Sequence, residues 1–204
     1  MIKRTTGRLL LTLLVITGLA GTLNNSSLSP KERKQAINLI KNSRKEVLTS
    51  IEGLSPRQLK YKPSANGLSI AELIMTLAVK EKKFSEQIQS SMAQPANSEN
   101  RLKIAVTDEQ LLANDNYPLC SVEISPDINN EWKDAVEAVK KFNSLQAENI
   151  KYMRTSTEDL RNHVVKTFAG WIDCYQYYLL MADQNSYIAT RINKIKSSRQ
   201  FPKK

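Results

Sequence analysis

The sequence contains very little histidine and glycine, and each of these two shortages excludes a class of chemistry. His163 is the only histidine among 204 residues. Histidine is the commonest metal ligand and the usual acid–base group near neutral pH, so a site built from several histidines is excluded. Only 6 glycines are present, and no glycine-rich phosphate loop or nucleophile-elbow serine occurs. The common nucleotide-binding and serine-hydrolase motifs are therefore absent from the chain.

The first residues have the pattern of an export signal. Lys3, Arg4 and Arg8 form a positive region without acidic residues, residues 9–16 are almost entirely apolar, and Ala20 suits signal cleavage. The apolar run is shorter than the roughly 18 residues that a membrane span needs. We therefore predict a signal peptide at 1–20, a short linker at 21–28 and one domain at 29–204. The protein is expected to be exported, periplasmic or secreted; the alternative is an uncleaved segment that holds it in the membrane.

The chain is basic. Its net charge of +10 falls to +7 when Lys3, Arg4 and Arg8 leave with the signal. The other lysines are scattered rather than clustered, which is typical of a solvated cationic surface. We expect no nucleic-acid partner, while weak association with anionic lipid or cell-wall polymer is compatible with this charge.

The two cysteines leave two interpretations open. Cys120 and Cys174 are 54 positions apart. In an oxidising compartment a disulfide between them would stabilise the fold by about 4 kcal/mol in the chain-entropy model. Two separate thiols that pack as small apolar side chains are equally compatible with the sequence.

Apolar residues recur at helical spacing in four long segments. Capping boxes at Ser29 and Ser69 predict where the first two long helices start, and the helical spacing of apolar residues carries these helices to about Ile51 and Ser91. A brief helix is predicted at 108–113, and short turns are predicted at 55–58 and 157–162. Because each long segment must bury an apolar stripe, the sequence predicts an all-α four-helix bundle.

The second half of the chain is predicted in the same way. The third helix has an apolar stripe from Trp132 to Ile150 that includes Val136, and the fourth runs from about Ala169 to Ile195. Between the second and third helices, residues 92–128 are rich in proline and asparagine. This segment is expected to form a long irregular connection, which usually crosses the end of a bundle or covers a site.

Several short motifs occur in order along the chain. They are residues 54–59 with Pro63, residues 69–73, residues 168–171 with Tyr175 and Gln176, residues 192–195, and Phe201 with Pro202. In their order and spacing these motifs resemble those of the DinB/YfiT-like superfamily, and the similarity extends from about Leu28 to Lys204. The resemblance implies a four-helix bundle, commonly dimeric, that binds a divalent metal through three histidines.

The family's three metal ligands fall on Thr76, Gln184 and Ile188 of this chain. None is histidine, and zinc and nickel favour imidazole or thiolate donors over hydroxyl, amide or alkyl groups. The resemblance therefore implies a degenerate site without a metal cofactor. A pocket that survives there is expected to be lined by these three residues together with Glu72 and Tyr187.

The sequence favours a non-catalytic binding or interaction module with an unknown small ligand or envelope partner. The module is expected to form a homodimer. The alternative is a metal-dependent hydrolase or thiol transferase with an unconventional ligand set drawn from Glu72, Asp183, Gln184 and His163. Glu72 is also the capping-box residue of the second long helix, which is its expected structural role. His163 precedes the last helix and is expected to be a hydrogen-bonded or surface residue. No catalytic residue is assigned.

Overall fold

The computed structural model of the chain describes residues 28–113, 133–167 and 170–203. Four long helices and a two-stranded hairpin make up most of this part. The elements in chain order are α1 (Pro30–Ile51), α2 (Pro56–Leu59), α3 (Ile70–Met92), a 3₁₀ helix (Ser98–Lys103), α4 (Asp108–Ala113), α5 (Ala135–Thr155), β1 (Val164–Thr167), β2 (Gly170–Asp173) and α6 (Cys174–Lys196). The predicted all-α four-helix bundle is confirmed, with one small sheet added to it.

The predicted helix starts are confirmed at the level of individual hydrogen bonds. Ser29 accepts a bond from the Glu32 amide at 3.2 Å, and its own amide donates to the Glu32 carboxylate at 2.8 Å. Ser69 and Glu72 form the same reciprocal pair at the start of α3. Each box satisfies amide groups that the first turn of a helix leaves without partners. Local sequence alone therefore sets where α1 and α3 begin.

The four long helices do not pack in simple sequence order. α1 packs against α5 and α6, and α3 packs against the same two helices. α1 and α3 therefore lie diagonally across the bundle, although they follow each other among the long helices. The apolar core between the helices includes Ile40 of α1, Leu73 of α3, Phe142 of α5 and Leu179 of α6, all almost completely buried.

The segment before the last helix corrects a prediction. The fourth helix was expected to begin near Ala169, but residues 164–173 contain an antiparallel hairpin that pairs Val164 with Asp173 and Thr167 with Gly170. Gly170 has a φ of 112°, a conformation that residues with a side chain rarely adopt. β-branched Val164 and Val165 favour the extended chain. The helix begins only at Cys174, after Asp173 has capped it.

The start of α5 differs from its prediction in a smaller way. Val136 was placed on the buried stripe of this helix, yet it is 60% exposed. The Asp134 side chain caps the helix by accepting bonds from the amides of Val136 and Glu137. The buried stripe begins instead at Ala138. Trp132, the predicted first member of the stripe, lies outside the described residues, as does much of the predicted irregular connection.

Two loops are joined beside the hairpin. The Asn97 side chain donates to the Val164 carbonyl at 3.0 Å and accepts from the Val164 amide at 2.8 Å. It thus forms the two main-chain hydrogen bonds that a neighbouring strand would form. This contact holds the chain that leaves α3 against β1.

Over the described ranges, no helix is long and apolar enough to cross a bilayer.

Candidate functional site

The three positions that the resemblance assigns to metal ligands lie in the packed interior. Thr76, Gln184 and Ile188 are all buried. The Thr76 hydroxyl donates to the Glu72 carbonyl at 2.8 Å, and Ile188 belongs to the same apolar cluster as Leu73. A hydroxyl bonded to its own helix, a carboxamide and an alkyl side chain do not match the donors that zinc or nickel prefers. The residues present do not fit the family's metal.

Two of the other residues expected near that site have different roles. Glu72 caps α3 and accepts a hydrogen bond from the Lys62 ammonium at 2.7 Å. Burial opposes ionisation of Glu72, but the bonds from Lys62 and Ser69 lower its pKa below the ordinary value. Tyr187 is 38% exposed, and the Arg191 guanidinium lies 6.0 Å from its ring centre. The expected capping role of Glu72 is confirmed, and Tyr187 lies at the surface.

His163 has a structural environment. The ring is buried, with Nδ1 2.7 Å from the Asp159 carbonyl oxygen and Nε2 3.0 Å from the Gln94 carbonyl oxygen. Both nitrogens therefore face main-chain oxygens, and the ring links the loop before β1 to the end of α3. The expectation of a hydrogen-bonded residue is confirmed.

Only one of the two cysteines lies in the described part of the chain. Cys174 is buried at the start of α6, and burial raises the pKa of its thiol to about 11. Cys120 lies outside the described residues. The pairing of Cys120 with Cys174 stays a prediction.

A buried carboxyl group lies at the centre of the bundle, at a position that the sequence analysis did not single out. Glu81 of α3 is only 1% exposed. It accepts hydrogen bonds from the side-chain amides of Gln146 and Asn149 on α5, the latter at 3.1 Å. The amide of Asn185 on α6 donates to the other carboxyl oxygen at 3.3 Å. Three helices therefore converge on one acidic group, which we call the Glu81 cluster (Glu81, Gln146, Asn149 and Asn185).

Burial dominates the ionisation of Glu81. Removal from water raises its pKa to about 8, although the bonds from Asn185, Gln146 and Asn149 act in the opposite direction. The described residues place no cationic side chain in hydrogen-bonding contact with this carboxyl group. A carboxyl with such a pKa holds its proton below neutral pH and can act as a donor, as an acceptor or as a proton store.

A cleft adjoins the Glu81 cluster and shares Asn149 with it. Its volume is about 350 Å³, within the range of small-molecule sites. Buried side chains from α3, α5 and α6 form its floor, and exposed polar residues form its rim. The lining residues are Ser85, Ile88, Gln89, Met92, Ala93, Glu148, Asn149, Tyr152, Glu158 and Tyr178. None of the five residues predicted to line a pocket is among them.

Two tyrosines form one side of this cleft. The rings of Tyr152 and Tyr178 stack with their centres 6.0 Å apart and an angle of 23° between their planes. The Tyr152 hydroxyl donates to the Glu158 carboxylate. Burial and, for Tyr152, this contact with Glu158 raise the pKa values of both phenols, so both stay neutral over the physiological range.

A second polar cluster closes one end of the bundle. Arg161 donates to Glu32 at 2.9 Å, and to Asp108 and Asp173 at 3.0 Å each. Its guanidinium lies 4.1 Å from the ring centre of Tyr175. Burial alone would lower the pKa of Arg161, but the three carboxylates outweigh it and raise the pKa. These contacts join α1, α4 and the start of α6, so the cluster is a structural tie.

Comparison with known proteins gives a fold and no sequence family. Neither protein-family models nor curated proteins match the chain. Its structure is similar to that of YfiT from Bacillus subtilis, with a TM-score of 0.58, 12% sequence identity, and coverage of 83% of this chain and 89% of that one. The described part of the chain therefore has a four-helix bundle fold similar to that of YfiT.

The similarity does not transfer an activity. The solved structure is described as a probable metal-dependent hydrolase with an unusual four-helix bundle topology. At 12% sequence identity the similarity establishes the fold alone. The diagonal arrangement of α1 and α3 is observed in this chain itself and does not rest on the comparison with YfiT.

Proposed function

We propose that this chain is a non-catalytic binding module built on a DinB-like four-helix bundle. The observation that carries the proposal is the chemistry at the three inherited ligand positions. Thr76 is bonded to its own helix, Gln184 offers one amide, and Ile188 is part of the apolar core. Burial of an isoleucine side chain stabilises a fold by about 1.5–3 kcal/mol, so the interior favours packing over metal coordination at this point.

The cleft beside the Glu81 cluster is the proposed binding site. It has the volume of a small-molecule pocket, a buried floor and a polar rim. In its tyrosines and carboxylates it contains groups that recognise ligands, whereas the three positions that would hold a metal do not adjoin it.

Metal content tests the proposal. The full chain, purified without chelator, is expected to contain far less than one equivalent of zinc or nickel by elemental mass spectrometry. Its melting temperature is expected to be unchanged by EDTA. A near-stoichiometric metal that disappears in Thr76→Val or Gln184→Leu, but not in the exposed control Gln87→Leu, would overturn the proposal and favour the hydrolase or transferase alternative.

The proposed compartment is outside the cytoplasm, because the first 20 residues have the pattern of an export signal. N-terminal sequencing of the protein expressed in a bacterial host tests this. We expect the periplasmic or secreted fraction to begin at Gly21. A membrane-bound product that retains Met1 would instead support the anchored alternative.

A further inference from the structure

The charge of the cleft is opposite to that of the chain. The protein has 30 lysines and arginines against 20 acidic residues, yet the cleft is lined by two glutamates and by no lysine or arginine. Neither Glu148 nor Glu158 is in an ion pair with a cationic side chain of the described residues. In so basic a protein, two carboxylates left without cations at one cleft make that cleft a local attractor for positive charge.

Glu148 and Glu158 accept hydrogen bonds from side chains of the protein, but each carboxylate has further acceptor positions for a ligand. Ser144 donates to Oε1 of Glu148 at 2.8 Å. Tyr152 and Ser156 both donate to Oε2 of Glu158. A carboxylate has about four acceptor positions, so both groups can still receive hydrogen bonds from a cation.

An unpartnered hydroxyl in the cleft gives an independent indication of a ligand. Ser85 lines the cleft and is 8% exposed, and its Oγ has no hydrogen-bond partner among the described residues. Leaving a buried polar group unpaired costs about 1–3 kcal/mol. A hydroxyl can either donate or accept, so a group with an N–H directed into the cleft would satisfy it.

The rest of the lining distinguishes an organic cation from a metal ion. Ile88, Met92 and the stacked rings of Tyr152 and Tyr178 give the cleft an apolar wall. A hard metal ion such as calcium takes six to eight oxygen ligands, which two carboxylates at a partly apolar cleft do not supply. An alkylammonium group pairs with carboxylates and aromatic faces while its carbon body covers the apolar wall.

We propose that this cleft binds a small organic molecule with a protonated amine. The ammonium group is held between the rim carboxylates of Glu148 and Glu158, with an N–H directed to the Ser85 hydroxyl. The apolar body lies against Ile88, Met92 and the tyrosines. This inference rests on the proposed binding function and names the chemical class of its ligand.

Titration calorimetry of the full chain with matched probes tests the inference. 2-Phenylethylamine and hexylamine are compared with the neutral 2-phenylethanol and hexanol, and with the anionic 3-phenylpropanoate and heptanoate. Each set of three probes keeps the carbon body and changes only the head group and its charge. We expect both amines to bind about tenfold more tightly than the alcohols, and the anions not to bind detectably. Amine affinity is expected to fall with added salt.

Three variants locate the binding. Ser85→Ala is expected to weaken 2-phenylethylamine about three- to tenfold, and Glu158→Gln about two- to fivefold. Glu46→Gln removes an exposed carboxylate on α1 that does not line the cleft, and it is expected to leave the affinity unchanged. The melting temperature of each variant verifies that it is folded before binding is compared.

The outcomes separate this inference from the proposed function. Equal binding of amines and alcohols, no binding of either amine, or amine binding that ignores Ser85 and Glu158 would overturn the assigned ligand class. None of these results bears on metal content, which alone decides between a binding module and a metal-dependent enzyme.

Discussion

The Glu81 cluster makes a quantitative prediction about pH and stability. Glu81 has a pKa of about 8 in the folded protein, against an ordinary value of 4.5 in an exposed chain. Between these two values the folded state holds a proton that the unfolded state has lost. Stability is therefore fully present below pH 4.5 and falls as the pH rises towards 8.

The size of the effect follows from the linkage of protons to folding. Each pH unit between 4.5 and 8 removes about 1.4 kcal/mol from the free energy of unfolding, on the order of 5 kcal/mol over the whole range. For a chain of this size that loss corresponds to a fall in melting temperature of about 10–20 °C. Because small domains are stable by only about 5–15 kcal/mol, the change is large enough to measure.

The assay compares the wild-type chain with Glu81→Gln, which keeps the shape of the protonated side chain and removes the titration. Urea unfolding at pH 5, 6, 7, 8 and 9 gives the free energy of unfolding of each protein. We expect Glu81→Gln to be within about 1 kcal/mol of the wild type at pH 5, where Glu81 is protonated. The variant should become progressively more stable than the wild type up to about pH 8, and the difference should level off by pH 9.

The exposed Glu46→Gln variant is the control, and its stability is expected to run parallel to that of the wild type. A difference between the wild type and Glu81→Gln that stays constant from pH 5 to pH 9 would refute the reasoning. A wild-type chain that gains stability from Glu81 as the pH rises would refute it as well, since that result requires a carboxylate stabilised by its three amide partners.

Three further variants test other parts of the structure. Arg161→Met leaves three carboxylates without their shared cation. It is expected to lower the free energy of unfolding, measured with urea at pH 7, by about 3 kcal/mol. This value is the low end of the range for buried ion pairs, because the Arg161 side chain is 18% exposed. A loss under 0.5 kcal/mol would show that the cluster is not a structural tie. Gly170→Ala places a side chain at a φ of 112° with no neighbouring atom in its way, so strain alone should cost about 1–2 kcal/mol; unchanged stability would contradict that backbone conformation. Replacing Thr76, Gln184 and Ile188 together by histidine should create a zinc site that raises the melting temperature when zinc is added; no response to zinc would mean that the three positions do not converge.

The parts of the fold that the sequence predicted are those encoded over a few neighbouring residues. Ser29 with Glu32, and Ser69 with Glu72, are capping boxes whose two partners lie three positions apart. The apolar stripes likewise need only helical spacing to be recognised. Such signals do not depend on distant parts of the chain, so they can be read without a structure.

The hairpin was missed because its local signals are weak and its support is not local. The β-branched pair Val164 and Val165 is too short to predict a strand, and the apolar residues after Gly170 continue the period of the last helix. The side chain of Asn97, far away in sequence, completes the hydrogen bonding of Val164. That contact becomes visible only when the loop after α3 is placed in space.

The candidate site was missed for a related reason. Glu81 lies four positions after Leu77 and three before Phe84, so it occupies the buried stripe of α3 where an apolar residue is expected. An acidic residue at such a position is a recognisable anomaly. Its partners Gln146 and Asn185 are on other helices, and no spacing rule connects them with Glu81. The sequence could have identified the anomaly but not the cluster.

An experimental structure with anomalous scattering measured above the zinc and nickel absorption edges is the most direct test of the central claim. The account predicts that the space between Thr76, Gln184 and Ile188 is filled by side chains, with no anomalous peak beside them. A peak within coordination distance of Thr76 or Gln184 would contradict the account and restore metal chemistry to this bundle.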